Sequence, residues 1–436
     1  MKRTLVALSL MLLTVPAVAA TFGVGHGGPR TTNNDDTCDI AVMPAATLLL
    51  PYFEVDPGFP SSRSTIFSVI NVTNVDQIAR VTLWTDYSYP VISFNIYLTG
   101  YDVQSINLFD VIVRGIIAPD AGTGTDVTDR GPLSDPNPAL ALGSCDRLPG
   151  ALDPVFVERM QRALIEGVVP PLGPFSSCDN AGGVHQFATG YATIDVVGNC
   201  LFAQPTEPEY WTRDIRYDNV LTGEYQQIDL TATVAQINPL VHIRAIPEGG
   251  TPSSRQHGAH NKTNFPRTFY DRYSPASHSD GRQPLPSTFA ARWIEGPLGY
   301  QTEYKIWREG VTGTGSACSA YAQNASLPVR EVVVFDEAEN FVAGTLTTPE
   351  TSLVGINDEL PPMTNGATGG WTYFNLDTTA GDGEATQNWV VVSLRSQAGF
   401  GGDFDATVLG NGCTPEQGLS EASGGPGEIG PAPNNN

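Results

Sequence analysis

The stretch Val91-Ile92-Ser93-Phe94-Asn95-Ile96-Tyr97-Leu98-Thr99 decides the fold. Ile92, Phe94, Ile96 and Leu98 fall on one face of an extended chain. Ser93, Asn95, Tyr97 and Thr99 fall on the other. A period of two marks a strand buried on one side. Gly100 then marks a turn, and Val103 to Leu108 resumes as a strand. Upstream, Leu48 to Val55, Thr65 to Val72 and Ala79 to Tyr87 also read as strands. In the last of these, Val81 and Leu83 alternate with Arg80 and Thr82. Short strands joined by turns, with no helical crossover, predict antiparallel pairing. The expected fold is mainly β: an antiparallel, immunoglobulin-like β-sandwich body, in one piece or as two packed lobes.

Downstream, Asp153-Pro154 opens one short helix near 153–167, with Asp153 as cap and Pro154 in the first helical position. Phe156, Val157, Met160, Ala163 and Leu164 form its apolar face. Strands are expected again at Val184 to Val197, Gln226 to Ala235, Leu240 to Ile246, Glu303 to Arg308, Glu331 to Asp336, Phe341 to Leu346, Trp371 to Leu376, Trp389 to Arg395 and Asp403 to Leu409. The stretch 247–286 reads as irregular. The expected organisation is a leader over 1–20, a mobile segment over 21–39 and a first sandwich portion over 40–118. A loop-and-helix insertion over 119–183, a second β-rich portion over 184–413 packed on the first, and a disordered tail over 414–436 complete it.

Composition supports this outline. Of 436 residues, 45 are Gly and 34 are Pro, which suits a turn-rich chain and not a helical bundle. Charged residues make up only 16%, too few for a coiled coil or a charged disordered chain. Lys2 and Arg3, the apolar run Leu5 to Pro16 and Ala17-Val18-Ala19 have the layout of a secretory signal peptide, cleaved after Ala19 or Ala20. The run is too short to span a bilayer. The expected destination is the periplasm or the exterior of a bacterial cell, with no membrane insertion after cleavage.

The formal net charge of −23 repels phosphate backbones and disfavours nucleic acid as a partner. A glycan or a cell-surface partner remains open. Six cysteines, Cys38, Cys145, Cys178, Cys200, Cys318 and Cys413, are even in number, as expected of disulfides in an exported chain. The expected pairings are Cys145–Cys178, Cys38–Cys413 and Cys200–Cys318.

The stretch 247–286 is the most unusual in chemistry. It gathers His257, His260 and His278 with several cations around Arg267-Thr268-Phe269-Tyr270-Asp271-Arg272-Tyr273. Arginines interleaved with aromatic rings can stack on sugars and grip acidic groups. Arg267, Tyr270, Asp271, Arg272 and Trp293 are therefore candidate binding residues. The opposing reading is that these arginines pair with the chain's own surplus carboxylates. His257, His260, His278 and Asp280 are candidate metal ligands, although nothing around them is helical. Asp403-x-Asp405, Asp382-Gly383-Glu384 and Asp35, Asp36 and Asp39 are candidate calcium ligands, and no other cofactor is indicated. Trp84, Trp293, Trp307 and Trp371 could form a carbohydrate platform or simply pack. Gly-x-Ser-x-Gly, Ser-x-x-Lys and His-Glu-x-x-His are all absent from the sequence, so no catalytic residue is assigned.

Ala46 to Asp56 (ATLLLPYFEVD), Tyr97 to Asn107 (YLTGYDVQSIN), Gly190 to Cys200 (GYATIDVVGNC) and Thr268 to Trp293 resemble an uncharacterised family of exported bacterial proteins. The resemblance spans most of the chain after the leader. It implies a secreted β-rich protein with no established activity, and it carries over no residue role. The expected function is a non-catalytic protein with a surface, adhesion or structural role. The alternatives are a secreted hydrolase acting on polysaccharide or ester bonds, and a carbohydrate-binding protein.

Overall fold

The computed structural model describes residues 40–58, 61–117, 132–133, 152–172, 177–198, 203–245, 269–270, 272–273, 282–296, 299–310, 318–356, 358–363, 365–377, 386–396 and 398–409. The elements of the first half are β1 (Thr47–Val55), β2 (Arg63–Asn71), β3 (Gln77–Thr85), β4 (Pro90–Leu98), β5 (Val103–Asn107), β6 (Pro132–Leu133), the helix α1 (Pro154–Glu166), β7 (Ala188–Val197), β8 (Leu221–Asp229), β9 (Val234–Pro239) and β10 (Val241–Ile243). They form a six-stranded sheet in the order β10-β1-β7-β3-β4-β6 and a four-stranded sheet in the order β5-β2-β8-β9. Every ladder among the described residues is antiparallel. The structure is thus mainly β and built of several antiparallel sheets.

Leu48, Leu50, Val81, Leu83, Phe94, Ile194 and Val196 of the larger sheet meet Phe67, Val69 and Tyr225 of the smaller one in a single apolar core. The alternation read at 91–99 is the reason: Ile92, Phe94, Ile96 and Leu98 all enter that core. Helix α1 lies against the same core through Met160 and Leu164. Asp153 caps it by accepting from the Val155 amide at 2.8 Å, and Gly167 ends it with a left-handed φ of 67°.

The second half contributes β11 (Thr288–Ile294), β12 (Tyr300–Arg308), β13 (Leu327–Pro328), β14 (Glu331–Asp336), β15 (Phe341–Gly344), β16 (Thr347–Thr348), β17 (Thr351–Gly355), β18 (Gly369–Asn375), β19 (Asn388–Ser396), β20 (Gly401–Asp405) and β21 (Thr407–Val408). A five-stranded sheet, β15-β14-β18-β11-β21, stacks on a four-stranded one, β17-β12-β19-β20. Phe289, Ala291, Val332, Val334 and Phe374 meet Tyr304, Ile306, Val390 and Val392 between them.

Strand pairing corrects the sequence reading at several points. Strands β7 to β10, expected within the 184–413 portion, pair into the two sheets that also hold β1 to β5. The single strand expected over 226–235 is two strands folded at Leu230–Thr233. The strand expected over 403–409 is likewise β20 and β21, and β11 and β17 were not anticipated. No helix among the described residues is long and apolar enough to cross a membrane.

Among the described residues one disulfide, Cys178–Cys318, joins the loop behind α1 to a short 3₁₀ segment (Cys318–Ala325), with Cα atoms 5.2 Å apart. It overturns both the Cys145–Cys178 and the Cys200–Cys318 pairings. The backbone bridge between Val169 and Cys178 folds that loop back beside Tyr89 and Tyr321, which brings Cys178 to the second half of the chain. Cys38, Cys145, Cys200 and Cys413 lie outside the described residues.

Candidate functional site

Strand β7 is buried along its whole length, on both faces. Ala192, Ile194 and Val196 face the first core. Tyr191, Thr193 and Asp195 face the other way, toward the second pair of sheets. This second face forms a seam lined with aromatic and charged side chains, and it is where most of the chain's unusual chemistry gathers.

Asp195 stands at one end of the seam. Its carboxylate accepts hydrogen bonds from the Thr47 hydroxyl at 2.5 Å, the Tyr210 hydroxyl at 2.5 Å and the Tyr270 hydroxyl at 2.8 Å. The Arg282 guanidinium lies 4.0 Å away and rests over the rings of Tyr217 and Tyr270. On the same face, Arg80 meets Asp214 at 2.6 Å, with neither side chain exposed. Burial pushes the Tyr210 and Tyr270 hydroxyls well above their ordinary range, with the negative charge of Asp195 next in effect. Both remain protonated donors, so this end holds a carboxylate in place and offers no activated nucleophile.

At the other end, Arg272 pairs with Glu350, and its guanidinium lies 4.5 Å over the Tyr273 ring. The Tyr191 hydroxyl donates to Glu350 at 3.2 Å and hydrogen-bonds Ser88 at 2.5 Å. Ser88 takes a left-handed φ of 63° in the β3–β4 turn, and the preceding Asp86 carbonyl accepts from the Glu350 amide at 3.0 Å. Gly310 lets the Asn324 and Glu350 side chains approach: a Cβ there would sit 2.3 Å from Asn324 Oδ1 and 2.6 Å from Glu350 Oε2.

Nearby, Asp86 accepts from the Gly183 amide and contacts His185 Nε2, both at 2.9 Å. An Asp–His pair could orient a serine nucleophile. The Ser88 hydroxyl, however, is engaged by Tyr191 and Arg272.

A third polar group lies on the face of the β12-β19-β20 sheet turned toward the first half. Lys305 meets Asp403 there, with both side chains fully buried. Tyr225 of β8 donates to Asp403 at 3.4 Å, Gln236 of β9 to Ser393 at 2.7 Å, and Asn238 of β9 to Asp405 at 2.9 Å.

Of the candidate binding residues, Tyr270 and Arg272 thus lie in the seam but serve different partners, Asp195 and Glu350. Trp293 is buried in β11 and donates from its indole to the Phe335 carbonyl at 2.9 Å. Trp84 and Trp307 are buried in the same core, and Trp371 stacks on Phe335 at 4.1 Å. Arg267, Asp271, His257, His260, His278 and Asp280 lie outside the described residues, as do Asp35, Asp36, Asp39, Asp382 and Glu384. Among the described residues, no three His, Cys, Asp or Glu side chains gather in a metal-binding arrangement.

Sequence reasoning did not single out Asp195, Glu350, Tyr191 or the Lys305–Asp403 pair. One signal was present: Asp195 interrupts the apolar run of β7, where an ionised group needs a partner to be buried. Compared with family models, with curated proteins and with solved structures, the chain finds no match.

Proposed function

We propose that this chain is an exported, non-catalytic protein with an immunoglobulin-like β-sandwich architecture and a surface, adhesion or structural role. One observation carries the reading. The arginine–aromatic segment, the richest candidate for ligand chemistry, turns its described cation inward, where Arg272 ties Glu350, Tyr191 and Ser88 across the seam. Such a network gives the molecule rigidity without leaving an activated group at a solvent-facing pocket. The leader-like first twenty residues, the even cysteine count and the resemblance to exported β-rich proteins support export to the periplasm or the cell exterior.

The test is a turnover screen of the purified protein on polysaccharides and model esters, with fractionation of expressing cells and N-terminal sequencing. No turnover is expected, together with a new N-terminus at Ala20 or Thr21 in the exported fraction. Turnover abolished by a single carboxylate or histidine change would replace this reading with a secreted hydrolase. Glycan binding abolished by one tryptophan change would replace it with a carbohydrate-binding protein.

A further inference from the structure

Lys305 is a buried cation whose surroundings suit an amide better than an ion pair. Its side chain is fully buried, and so is that of Asp403, its hydrogen-bond acceptor. An ammonium has three donors to satisfy. Among the described residues Lys305 Nζ finds one acceptor, Asp403 Oδ2, while Asp403 Oδ1 is buried with no hydrogen-bond partner. Two ions taken from water and so sparsely solvated carry a heavy desolvation cost. An amide between them would carry no charge and need only one donor and one acceptor satisfied.

The strand register makes the encounter a property of the fold. Lys305 of β12 lies opposite Val391 of β19, and Val391 lies opposite Asp405 of β20. Glu303 lies opposite Ser393, and Ser393 opposite Asp403. Lys305, Asp403 and Asp405 therefore share one face, and the long lysine stem crosses β19 diagonally to reach Asp403. The two residues are 98 positions apart in the chain but held side by side, an arrangement that replaces a bimolecular encounter with a unimolecular one.

We propose that Lys305 and Asp403 form an intramolecular isopeptide bond that ties the edge strand β20 to β12 across β19. The proton of the Lys305 ammonium passes to the Asp403 carboxylate, giving a neutral amine and a neutral acid. The amine lone pair attacks Asp403 Cγ, and the new C–N bond forms. The nitrogen's second proton passes to the Oδ2 hydroxyl, the oxygen that Nζ contacts and has already protonated, and Oδ2 leaves as water as its C–O bond breaks. One water is released, nothing is oxidised or reduced, and no further reactant is needed. Tyr225 also donates to Asp403 Oδ2, the oxygen that leaves. Burial lowers the proton affinity of Lys305, which favours the nucleophilic amine. Burial likewise raises the proton affinity of Asp405 on the same face, against the hydrogen bonds it accepts from Trp389 and Asn238.

This inference stands apart from the proposed function, because it concerns a bond within the fold and not what the molecule binds. The decisive measurement is tandem mass spectrometry on a proteolytic digest of the full chain, purified folded and then reduced. The expected result is a branched species in which the Lys305 peptide and the Asp403 peptide are joined and one water lighter than their sum, with tryptic cleavage after Lys305 lost. Asp403→Ala and Lys305→Met should each abolish the branched species. Recovery of the two peptides separately from folded wild-type protein, cut normally after Lys305, overturns the proposal even if neither variant folds. A branch from Lys305 to Asp405 or any other carboxylate overturns it equally.

Discussion

Arg272 shows what a single side chain does in the seam. Its charge is shielded from water and balanced by Glu350, whose carboxylate also receives the Tyr191 hydroxyl. Replacing Arg272 with Met leaves a carboxylate buried without its cation. That change should cost about 3–5 kcal/mol in a denaturant titration, while Arg272→Met combined with Glu350→Leu should cost distinctly less. Equal losses in the single and double variants would show that the pair is not the stabilising unit. His242 makes stability depend on pH. It lies opposite Leu48 in the β1–β10 ladder, and its Nε2 accepts from the Gly223 amide at 3.3 Å. Burial holds its pKa down at about 4, against an ordinary 6.5. The unfolded chain therefore binds the extra proton between those values. The contribution of neutral His242 is complete above 6.5 and is lost as pH falls toward 4. Wild type should lose about 2 kcal/mol more than His242→Gln between about pH 7.5 and about pH 5, read from urea midpoints at each pH. Parallel pH curves for the two proteins would remove His242 as the source.

At the scale of the strand, two glycines that look alike in sequence should behave differently. Gly190 lies in β7 beside the bulge of β1, where a Cβ would meet the Trp84 carbonyl at 2.0 Å and the Phe53 ring at 3.0 Å. Gly402 lies in β20 with nothing within 4 Å of its would-be Cβ. Gly190→Ala should lower stability by about 1–3 kcal/mol because a backbone oxygen, and not a flexible side chain, must move. Gly402→Ala should be neutral or stabilising by about 0.5 kcal/mol. Thermal unfolding of the two variants side by side checks this, and equal midpoints would refute it. The same scale explains what could be read in advance. The alternation in Val91–Thr99 located β4 to within one residue, because one of its faces is wholly core. The β8–β9 turn went unseen because Thr233 takes a left-handed φ of 58° where no glycine or proline signals a break. Strand β11 went unseen because Ala290, Ala291 and Arg292 blur its period, and its identity comes from pairing with β18. The seam was legible only in part. Tyr270 and Arg272 stood out as local pattern, but their partners Asp195 and Glu350 lie 75 and 78 positions away. Stacking of the sheets, not spacing along the chain, brings them together.

At the scale of the molecule, the two stacked pairs of sheets act as one body because bonds of several kinds cross between them. The Glu350 amide donates to the Asp86 carbonyl, the Thr351 hydroxyl to the Pro51 carbonyl, and Asn238 to Asp405. Trp84, Tyr191, Phe269, Tyr270 and Trp307 share one core with Phe289 and Val390. The Cys178–Cys318 bond adds a covalent tie between residues 140 positions apart. A loop of that size should stabilise the folded state by about 3–5 kcal/mol, chiefly by restricting the unfolded chain. Its removal by Cys178→Ser with Cys318→Ser should therefore lower the unfolding midpoint well beyond the effect of an ordinary surface change. It also takes away the one crossing bond among the described residues that survives when the seam opens. The intact protein should melt in a single calorimetric transition, and the double variant in two, the lower one accompanied by the fluorescence change of Trp84 and Trp307 entering water. Trp84→Phe and Trp307→Phe in the variant background assign that signal. A single transition with an unshifted midpoint in the double variant would mean that the noncovalent seam alone unites the two halves.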